Sequence, residues 1–305
     1  MTKRQQAILG LLFVNLIYGA NFIIAKGLMP DVIGPSGFIV IRVGVSAILF
    51  WILNAVMGLG FIEKKDVPRA ILCGLFGVAA NQLLFFNGLS LTSPINASIL
   101  MTTGPFLVLL LAALLLKEPL RPRRIAGIVV GALGAVLLIL SKGSGKQLVS
   151  SVLGDLLVFI NAASYATYLV LVTPLMRKYG AMKVISHVFA LGFVFVLPFG
   201  YGQFTEINWS GITQGQWGAI TYVVIATTFV VYLINAASLK YVSPTVTGSF
   251  IYLQPLFATA VAYTAAHFGW VEDYTDLTLE KLGYAALIFT GVYLVSVQAK
   301  KKTIS

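Results

Sequence analysis

Long apolar segments are the feature that most restricts how this chain can fold. Ten of them, each close to the roughly 20 residues that a helix needs to cross a bilayer, are separated by short polar connections. The runs do not alternate as membrane barrel strands do. The sequence therefore predicts an all-α integral membrane protein of ten transmembrane helices, numbered as spans 1 to 10. We place them at residues 7–28, 36–60, 67–90, 94–117, 122–140, 151–177, 181–203, 214–240, 243–267 and 278–298.

Charge places the chain in the membrane and orients it there. Charged residues make up only 10% of the chain, against about 25% in a soluble domain. The net charge of +11 would suggest nucleic acid in a soluble protein, but the basic residues lie mostly in the connections between spans. With the N-terminus inside, 16 of the 21 Lys and Arg residues face the cytoplasm, 4 face outward and Arg42 lies within span 2. The positive-inside rule therefore predicts cytoplasmic N- and C-termini.

Apolar length and charge distribution also predict the location of the protein and its partners. We expect a multi-pass protein of the cell membrane, the inner membrane in a bacterium. Its expected partners are the lipid bilayer and a small-molecule solute, with no nucleic acid. The first apolar run is too long for a cleaved signal peptide, and we expect it to be retained as span 1.

An internal duplication divides the chain into halves. Ser93-Pro94 opens span 4, and Pro105 follows Pro94 by eleven residues. Ser243-Pro244 opens span 9, and Pro255 follows at the same distance, at an offset of 150 residues. Five spans is an odd number, so the second half must enter the membrane in the opposite direction. The predicted domains are two inverted five-helix repeats, 1–142 and 151–302, an arrangement found in many secondary transporters.

The two mid-span prolines predict breaks in spans 4 and 9. Proline lacks an N–H and clashes with the carbonyl four residues earlier, so a helix kinks there. Such a kink either improves packing or lines a cavity and acts as a hinge. Because Pro105 and Pro255 occupy matching places, we assign both as hinge residues beside a cavity.

Several runs resemble a known family. The chain resembles two tandem copies of the EamA domain of the drug/metabolite transporter superfamily. The resemblance implies ten helices around a central cavity and export or exchange of small metabolites, and it does not fix the solute. Trp is more usual at Tyr18, and the second copy offers only Glu272 or Asp273 where the first has Glu118. The runs that carry the resemblance are Tyr18-Gly19 with Lys26, Arg42, residues 93–100, Gly104-Pro105, residues 117–120, Ile125-Ala126-Gly127 and Gly134-Ala135-Val136.

Polar side chains within the spans form the candidate solute site. Such side chains usually face the bundle interior or a water-filled cavity, although hydrogen bonding between helices remains the alternative for each one. Amides supply donors and acceptors, and tyrosine supplies an apolar face with a hydroxyl, which suits an amphipathic or zwitterionic solute such as an amino acid. The predicted solute-binding residues are Asn15, Tyr18, Asn21, Arg42, Asn81, Gln82, Met101, Thr102, Asn161, Tyr165, Tyr168, Tyr232, Asn235, Tyr252 and Gln254.

Arg42 has three open roles. It lies roughly 9 Å along span 2 from the outer end. It binds a solute carboxylate, pairs with Asp155, or extends to the outer surface. The centres of the spans carry no Asp or Glu, so we expect facilitated diffusion or exchange rather than proton-driven pumping.

The same inventory argues against catalysis. Cys73 is the only cysteine, so no internal disulfide or thiolate metal cluster can form, and we predict no metal, no cofactor and no catalytic residue. The run 143–146 does not complete a phosphate loop. The predicted function is a secondary transporter, exporter or exchanger, of small organic metabolites by alternating access, with a membrane-embedded enzyme or a channel as alternatives. Two complete halves make a monomer sufficient, and the small-residue stripe of Gly127, Gly131 and Ala135 is expected to pack within it.

Overall fold

The protein is described here by a computed structural model. It describes residues 1–116, 122–141, 151–238, 241–242, 250–270 and 277–296. Regular structure in these ranges is helical throughout. Several features of the sequence lie outside the described residues, namely Glu118, Glu272, Asp273, Ser243-Pro244 and residues 143–146.

Thirteen α-helices are present in the described ranges. They are α1 (Lys3–Leu28), α2 (Pro35–Val56), α3 (Val67–Gly74), α4 (Ala80–Leu91), α5 (Pro94–Met101), α6 (Gly104–Leu116), α7 (Pro122–Leu140), α8 (Val152–Tyr179), α9 (Ala181–Thr205), α10 (Gln214–Thr221), α11 (Val231–Ser238), α12 (Gln254–His267) and α13 (Leu279–Ser296). π-Helical segments join α3 to α4 (Leu75–Ala79) and α10 to α11 (Tyr222–Val230). Short 3₁₀ turns occupy Lys64–Asp66, Trp209–Gly211 and Phe250–Leu253.

Within the described residues, eight helical stretches are long and apolar enough to cross a membrane. They are Lys3–Leu28, Pro35–Val56, Lys64–Leu91, Pro94–Leu111, Pro122–Leu140, Val152–Tyr179, Ala181–Thr205 and Gln214–Asn235. These agree with predicted spans 1 to 8. Predicted spans 9 and 10 contain α12 and α13. Each of these helices borders residues that the structure does not describe. The count of ten and the side on which the termini lie stay predictions.

The helix ends follow from local hydrogen bonding. The hydroxyl of Thr2 accepts from the N–H of Gln5 at 3.2 Å, and the Gln5 side chain accepts from the N–H of Thr2 at 2.8 Å, which caps α1. Helix α2 has no cap of its own. The side-chain oxygen of Gln203 in α9 accepts from the N–H groups of Ser36 and Gly37 at 2.8 and 3.1 Å instead. The start of α2 is thus fixed by the other half of the chain.

Span 4 is broken where its proline predicts a break. Helix α5 ends at Met101 and α6 begins at Gly104, so that Pro105 falls in the first turn of α6. The hydroxyls of Thr102 and Thr103 donate to the carbonyls of Ile99 and Leu100 at 2.7 Å, which satisfies part of the broken helix end. Pro255 likewise falls in the first turn of α12, directly after a 3₁₀ turn. Whether these breaks act as hinges remains a prediction.

The helices pair in a pattern that the two halves share. Helix α2 packs along α9, and α7 along α13. Helix α1 packs against α11 and α12, while α8 packs against α4 and against α5 and α6. The contacts of α1 therefore reappear for α8, the first helix after the midpoint, with the equivalent helices of the opposite half. This arrangement brings α1 and α8 to the interior of the bundle.

Glycines allow the closest helix contact. A Cβ added to Gly291 would lie 2.5 Å from the Cα of Gly131, and one added to Gly127 would lie 2.7 Å from the carbonyl oxygen of Gly291. The stripe predicted on span 5 thus packs against α13 within the chain, which confirms that expectation.

Candidate functional site

Four helices bring a group of tyrosines together around an arginine. The phenol groups of Tyr18, Tyr165, Tyr168 and Tyr232 lie close enough to interact electrostatically with one another or with the guanidinium of Arg42. The rings of Tyr165 and Tyr168 have centroids 5.7 Å apart. We call these five residues the tyrosine–arginine cluster. Its members come from α1, α2, α8 and α11, and therefore from both halves of the chain.

Packing around the cluster explains why its rings can meet. Gly77 lies in the π-helical segment Leu75–Ala79, and a Cβ added there would lie 2.6 Å from the Cγ of Tyr168. Only a residue without a Cβ leaves room for that ring. Tyr232 packs against the rings of Phe50 and Phe189, at centroid distances of 5.8 and 5.5 Å. Tyr168 is buried, whereas Tyr18, Tyr165 and Tyr232 are half-buried.

Arg42 is buried at the edge of this group, with 6% of its surface exposed. Its Nε donates to the hydroxyl of Thr228 at 2.8 Å, and its Cζ lies 4.9 Å from the ring centroid of Phe86. Pairing of Arg42 with Asp155, one of its predicted roles, is wrong. The Asp155 carboxylate instead accepts from the hydroxyl of Thr92 and from the Nδ2 of Asn96, the latter at 3.1 Å.

Extension of Arg42 to the outer surface is also wrong. Its low exposure and its bond to Thr228, which belongs to the π-helical segment between α10 and α11, keep the guanidinium inside the bundle. Contact with a solute, the third role that the sequence leaves open, stays a prediction.

Three predicted site residues bind protein groups in this conformation. Gln254 Nε2 donates to the Oδ1 of Asn15 at 3.1 Å, and Asn15 Nδ2 donates to the carbonyl of Leu11 at 2.8 Å. The amide pair thus links α1 to α12. The Thr102 hydroxyl donates to the backbone within its own span. These contacts fit the interhelical alternative, and a solute-binding role for these residues stays a prediction.

Amides also link α4 to α8. Asn161 Nδ2 donates to the backbone carbonyl of Asn81 at 2.6 Å, and Gln82 Nε2 donates to the Oδ1 of Asn81 at 3.4 Å. Asn161 is fully buried, whereas Asn81 and Gln82 are half-buried. Asn81 lies two residues after the end of the π-helical segment, where the regular helix pattern is disturbed.

Buried oxygens without a described hydrogen-bond partner include three on helices that carry a member of the cluster. They are Asn21 Oδ1, Ser46 Oγ and Asn161 Oδ1. Asn21 follows Tyr18 by three residues, Ser46 follows Arg42 by four, and Asn161 precedes Tyr165 by four. These spacings put each oxygen on the same helix face as a cluster member, about one turn away. Buried polar atoms are rarely left unsatisfied, so these three call for an explanation.

The remaining predicted residues border the same helices. Met101 is half-buried at the end of α5, where it packs on the main core. Asn235 is half-buried on α11, three residues after Tyr232. The ring centroid of Tyr252 lies 6.0 Å from that of Phe289. These positions do not decide between solute contact and packing.

Two open grooves lie away from the cluster. One, of about 530 Å³, is lined by apolar residues of α2 and α9 such as Trp51 and Phe193. The other, of about 550 Å³, lies between α1, α10 and α12 and includes Thr264 and Trp270. Neither groove is bordered by a predicted site residue.

An ionic network that the sequence did not predict joins the two halves at one end of the bundle. Lys178 Nζ lies 2.7 Å from a carboxylate oxygen of both Glu63 and Asp66, and Lys65 lies 2.8 Å from Glu63. The hydrogen bonds from Lys178, and next from Lys65, lower the pKa of Glu63 to about 2. A count of charges along the sequence cannot find this network, because Lys178 is 112 residues from Asp66 in the chain.

Known proteins resemble this chain over most of its length. A sequence model of the EamA-like transporter family matches residues 5–140 and 152–297. The uncharacterized transporter YyaM of Bacillus subtilis is 26% identical over 290 residues, which are 94% of this chain and 92% of that protein. A probable terminal-alkyne amino-acid exporter of Streptantibioticus cattleyicolor is 27% identical over 197 residues, 64% of each chain. A solved crystal structure, 18% identical, shares the fold with a TM-score of 0.62, covering 98% of this chain and 99% of its own.

Proposed function

The chain belongs to the EamA-like transporter family, and on that premise we propose that it exports or exchanges small amphipathic organic solutes such as amino acids. The family and the named relatives make it a membrane transporter of the drug/metabolite superfamily. They favour transport over a membrane-embedded enzyme or a channel. One relative is named as a probable amino-acid exporter, which supports this solute class.

The observation that carries the proposal is the tyrosine–arginine cluster. Tyr18 and Arg42 come from the first half, and Tyr165, Tyr168 and Tyr232 come from the second. A solute held between them would contact both halves at once, as alternating access requires. Aromatic faces with hydroxyls, and one fixed cation, suit a solute that has an apolar part and a polar part.

We propose that the two halves, 1–142 and 151–302, are inverted repeats that complete ten helices with both termini in the cytoplasm. Support comes from the exchanged contacts of α1 and α8, and from the two π-helical segments, one in each half. The breaks before Pro105 and Pro255 also occupy matching places, and we assign them as hinges. One chain holds both halves, so a monomer in the cell membrane is sufficient for transport.

Counterflow in proteoliposomes tests the proposal. Vesicles are loaded with unlabelled amino acids, nucleobases, vitamins or sugar phosphates, and uptake of the labelled compound is measured. We expect flux with at least one amino acid. Tyr165→Leu should lower it about tenfold or more, while Tyr263→Leu, at an exposed tyrosine of α12, should leave it unchanged.

Folding is checked by the melting temperature of each purified variant in detergent. A ligand that binds the folded protein also raises this temperature, which gives an independent measure of solute binding. The proposal is contradicted if no compound moves faster than in protein-free vesicles. The site assignment is contradicted if folded Tyr165→Leu transports as well as the Tyr263→Leu control.

A further inference from the structure

We propose that Arg42 is the carboxylate receptor of the transport site, so that the transported solutes are small molecules with one free carboxylate. This inference rests on the proposed transport function and narrows it to a chemical class.

Arg42 is a buried cation without an anionic partner in the described part of the chain. The salt bridges among Glu63, Lys65, Asp66 and Lys178 lie at one end of the bundle and do not include Arg42. Arg42 itself is 6% exposed. A charge inside a membrane protein is costly, and it usually pairs with an opposite charge or marks a substrate pathway. The Thr228 hydroxyl and the Phe86 face hold the guanidinium without neutralising it.

The guanidinium is held in an orientation that leaves its outer edge for a ligand. Nε is bound to Thr228, and the ring of Phe86 lies against the guanidinium at 4.9 Å. The two terminal nitrogens make no hydrogen bond with the residues that the structure describes. Two parallel N–H groups in a plane match the two oxygens of a carboxylate. Thr228 and Phe86 thus act as positioning residues for this fork.

One available cation favours one carboxylate over a phosphate dianion. Lys26 in α1 is already bound to the protein, because its Nζ donates to the carbonyl of Ser90 at 2.6 Å. Within the cluster, Arg42 is the one basic member and the other four are tyrosines. A monocarboxylate neutralises the guanidinium, whereas a dianion would leave one negative charge in a neutral, aromatic environment.

The unpartnered oxygens supply the other end of the site. Asn21 Oδ1 and Asn161 Oδ1 lie about one turn from Tyr18 and Tyr165, on α1 and α8. Both are acceptors that would bind an ammonium or hydroxyl group of the solute. Ser46 Oγ, about one turn along α2 from Arg42, is a further hydrogen-bonding group at the arginine end of the site. An α-amino acid carries the matching pair of groups, a carboxylate and an ammonium.

The experiment compares matched solutes in the reconstituted protein. Counterflow is measured for labelled phenylalanine and leucine, for their carboxamides, and for a nucleobase without a carboxyl group. The wild type is expected to prefer the free acids at least about 10-fold, because a carboxamide leaves the buried charge unneutralised. Arg42→Gln should lose that preference, with acid flux falling to the level of the carboxamides. Arg42→Lys should keep part of it, because the charge remains without the planar fork.

Controls separate recognition from folding. Arg69→Gln, at an exposed arginine of α3, should behave as the wild type. If Arg42→Gln does not fold, Thr228→Ala is measured instead. This variant removes only the hydrogen bond to Nε of Arg42. We expect it to raise the apparent KM for the acids more than for the carboxamides. A purely structural arginine would change the flux of both solute classes equally.

The outcomes distinguish this inference from the proposed function. Equal wild-type flux of acids and carboxamides, flux of only the nucleobase, or a preference that survives in folded Arg42→Gln would overturn the carboxylate assignment while transport stands. Absence of flux for every compound, together with no shift in melting temperature, would overturn both. Loss of the acid preference in Arg42→Gln but not in Arg69→Gln supports the assignment.

Discussion

Gly77 is the position where the smallest change should disturb the proposed site. Gly77→Ala adds one methyl group to the π-helical segment Leu75–Ala79, without charge or polarity. On the present backbone that methyl carbon lies 2.6 Å from the Cγ of Tyr168 and 2.8 Å from its Cε2. Favourable carbon contacts begin near 3.5 Å, so the ring or the helix must move by about 1 Å.

The magnitude follows from two opposing effects. Adding a methyl to a packed interior typically costs about 1–3 kcal/mol. Alanine is the better helix former by up to about 1 kcal/mol, which offsets part of this cost. The cost of the steric overlap exceeds the gain in helix propensity, and we expect a net destabilisation of about 1–2 kcal/mol. Displacing the Tyr168 hydroxyl by about 1 Å weakens a hydrogen bond to solute worth about 1 kcal/mol, which lowers the affinity about fivefold.

The assay combines melting temperature in detergent with the apparent affinity in counterflow. Gly218→Ala in α10 is the matched control, because a Cβ added there has no heavy atom within 4 Å. Gly77→Ala is also tested in a Tyr168→Leu background, where the overlapping ring is absent. The two substitutions should be non-additive, with a coupling of about 1–2 kcal/mol. Equal effects of Gly77→Ala in both backgrounds would refute the steric argument.

Three further predictions follow from other contacts. Gly291→Leu should sharply reduce the yield of folded protein, because its side chain overlaps the backbone of Gly131, and Gly283→Leu, with open space around it, is the control. Gln254→Leu should lower stability by about 1 kcal/mol by removing the donor to Asn15, with the paired Leu substitutions costing less than their sum, as a double-mutant cycle would show. Glu63 has a lowered pKa of about 2, so the stability that it contributes is present above the ordinary carboxyl pKa and is lost as the pH falls toward 2. Wild type and Glu63→Gln should therefore differ by a small, salt-sensitive amount in melting temperature above pH 5 and converge near pH 2.

The sequence predicts well those features that depend on local pattern. Apolar length alone locates the eight stretches that are able to span a membrane, and proline chemistry locates the break before Pro105. The spacing of polar side chains on single helices also points to Tyr18, Tyr165 and Arg42. Burial in a membrane protein requires such side chains to face inward, and the structure does bring these three together.

The sequence does not show which helices face each other. Asn15 and Gln254 look like solute ligands until the pairing of α1 with α12 makes them partners of each other, 239 residues apart. The bond between Arg42 and Thr228 is likewise a long-range contact. Ser46 was missed because a lone serine in an apolar helix is ordinary, and only its spacing from Arg42 gives a signal. These features depend on tertiary packing, which local periodicity does not encode.

Cysteine accessibility tests the central claim most directly, namely that the tyrosine–arginine cluster lines a path for solute rather than a closed core. Cys73 is the only cysteine and is buried, so a Cys73→Ala background gives a chain without thiols. Tyr165→Cys is then compared with Val158→Cys, a fully buried position on the same helix, in proteoliposomes treated with a small water-soluble thiol reagent. We predict that Tyr165→Cys reacts faster, and that a transported amino acid slows its reaction. If Tyr165→Cys reacts no faster than Val158→Cys, the cluster is packed core and the solute path lies elsewhere.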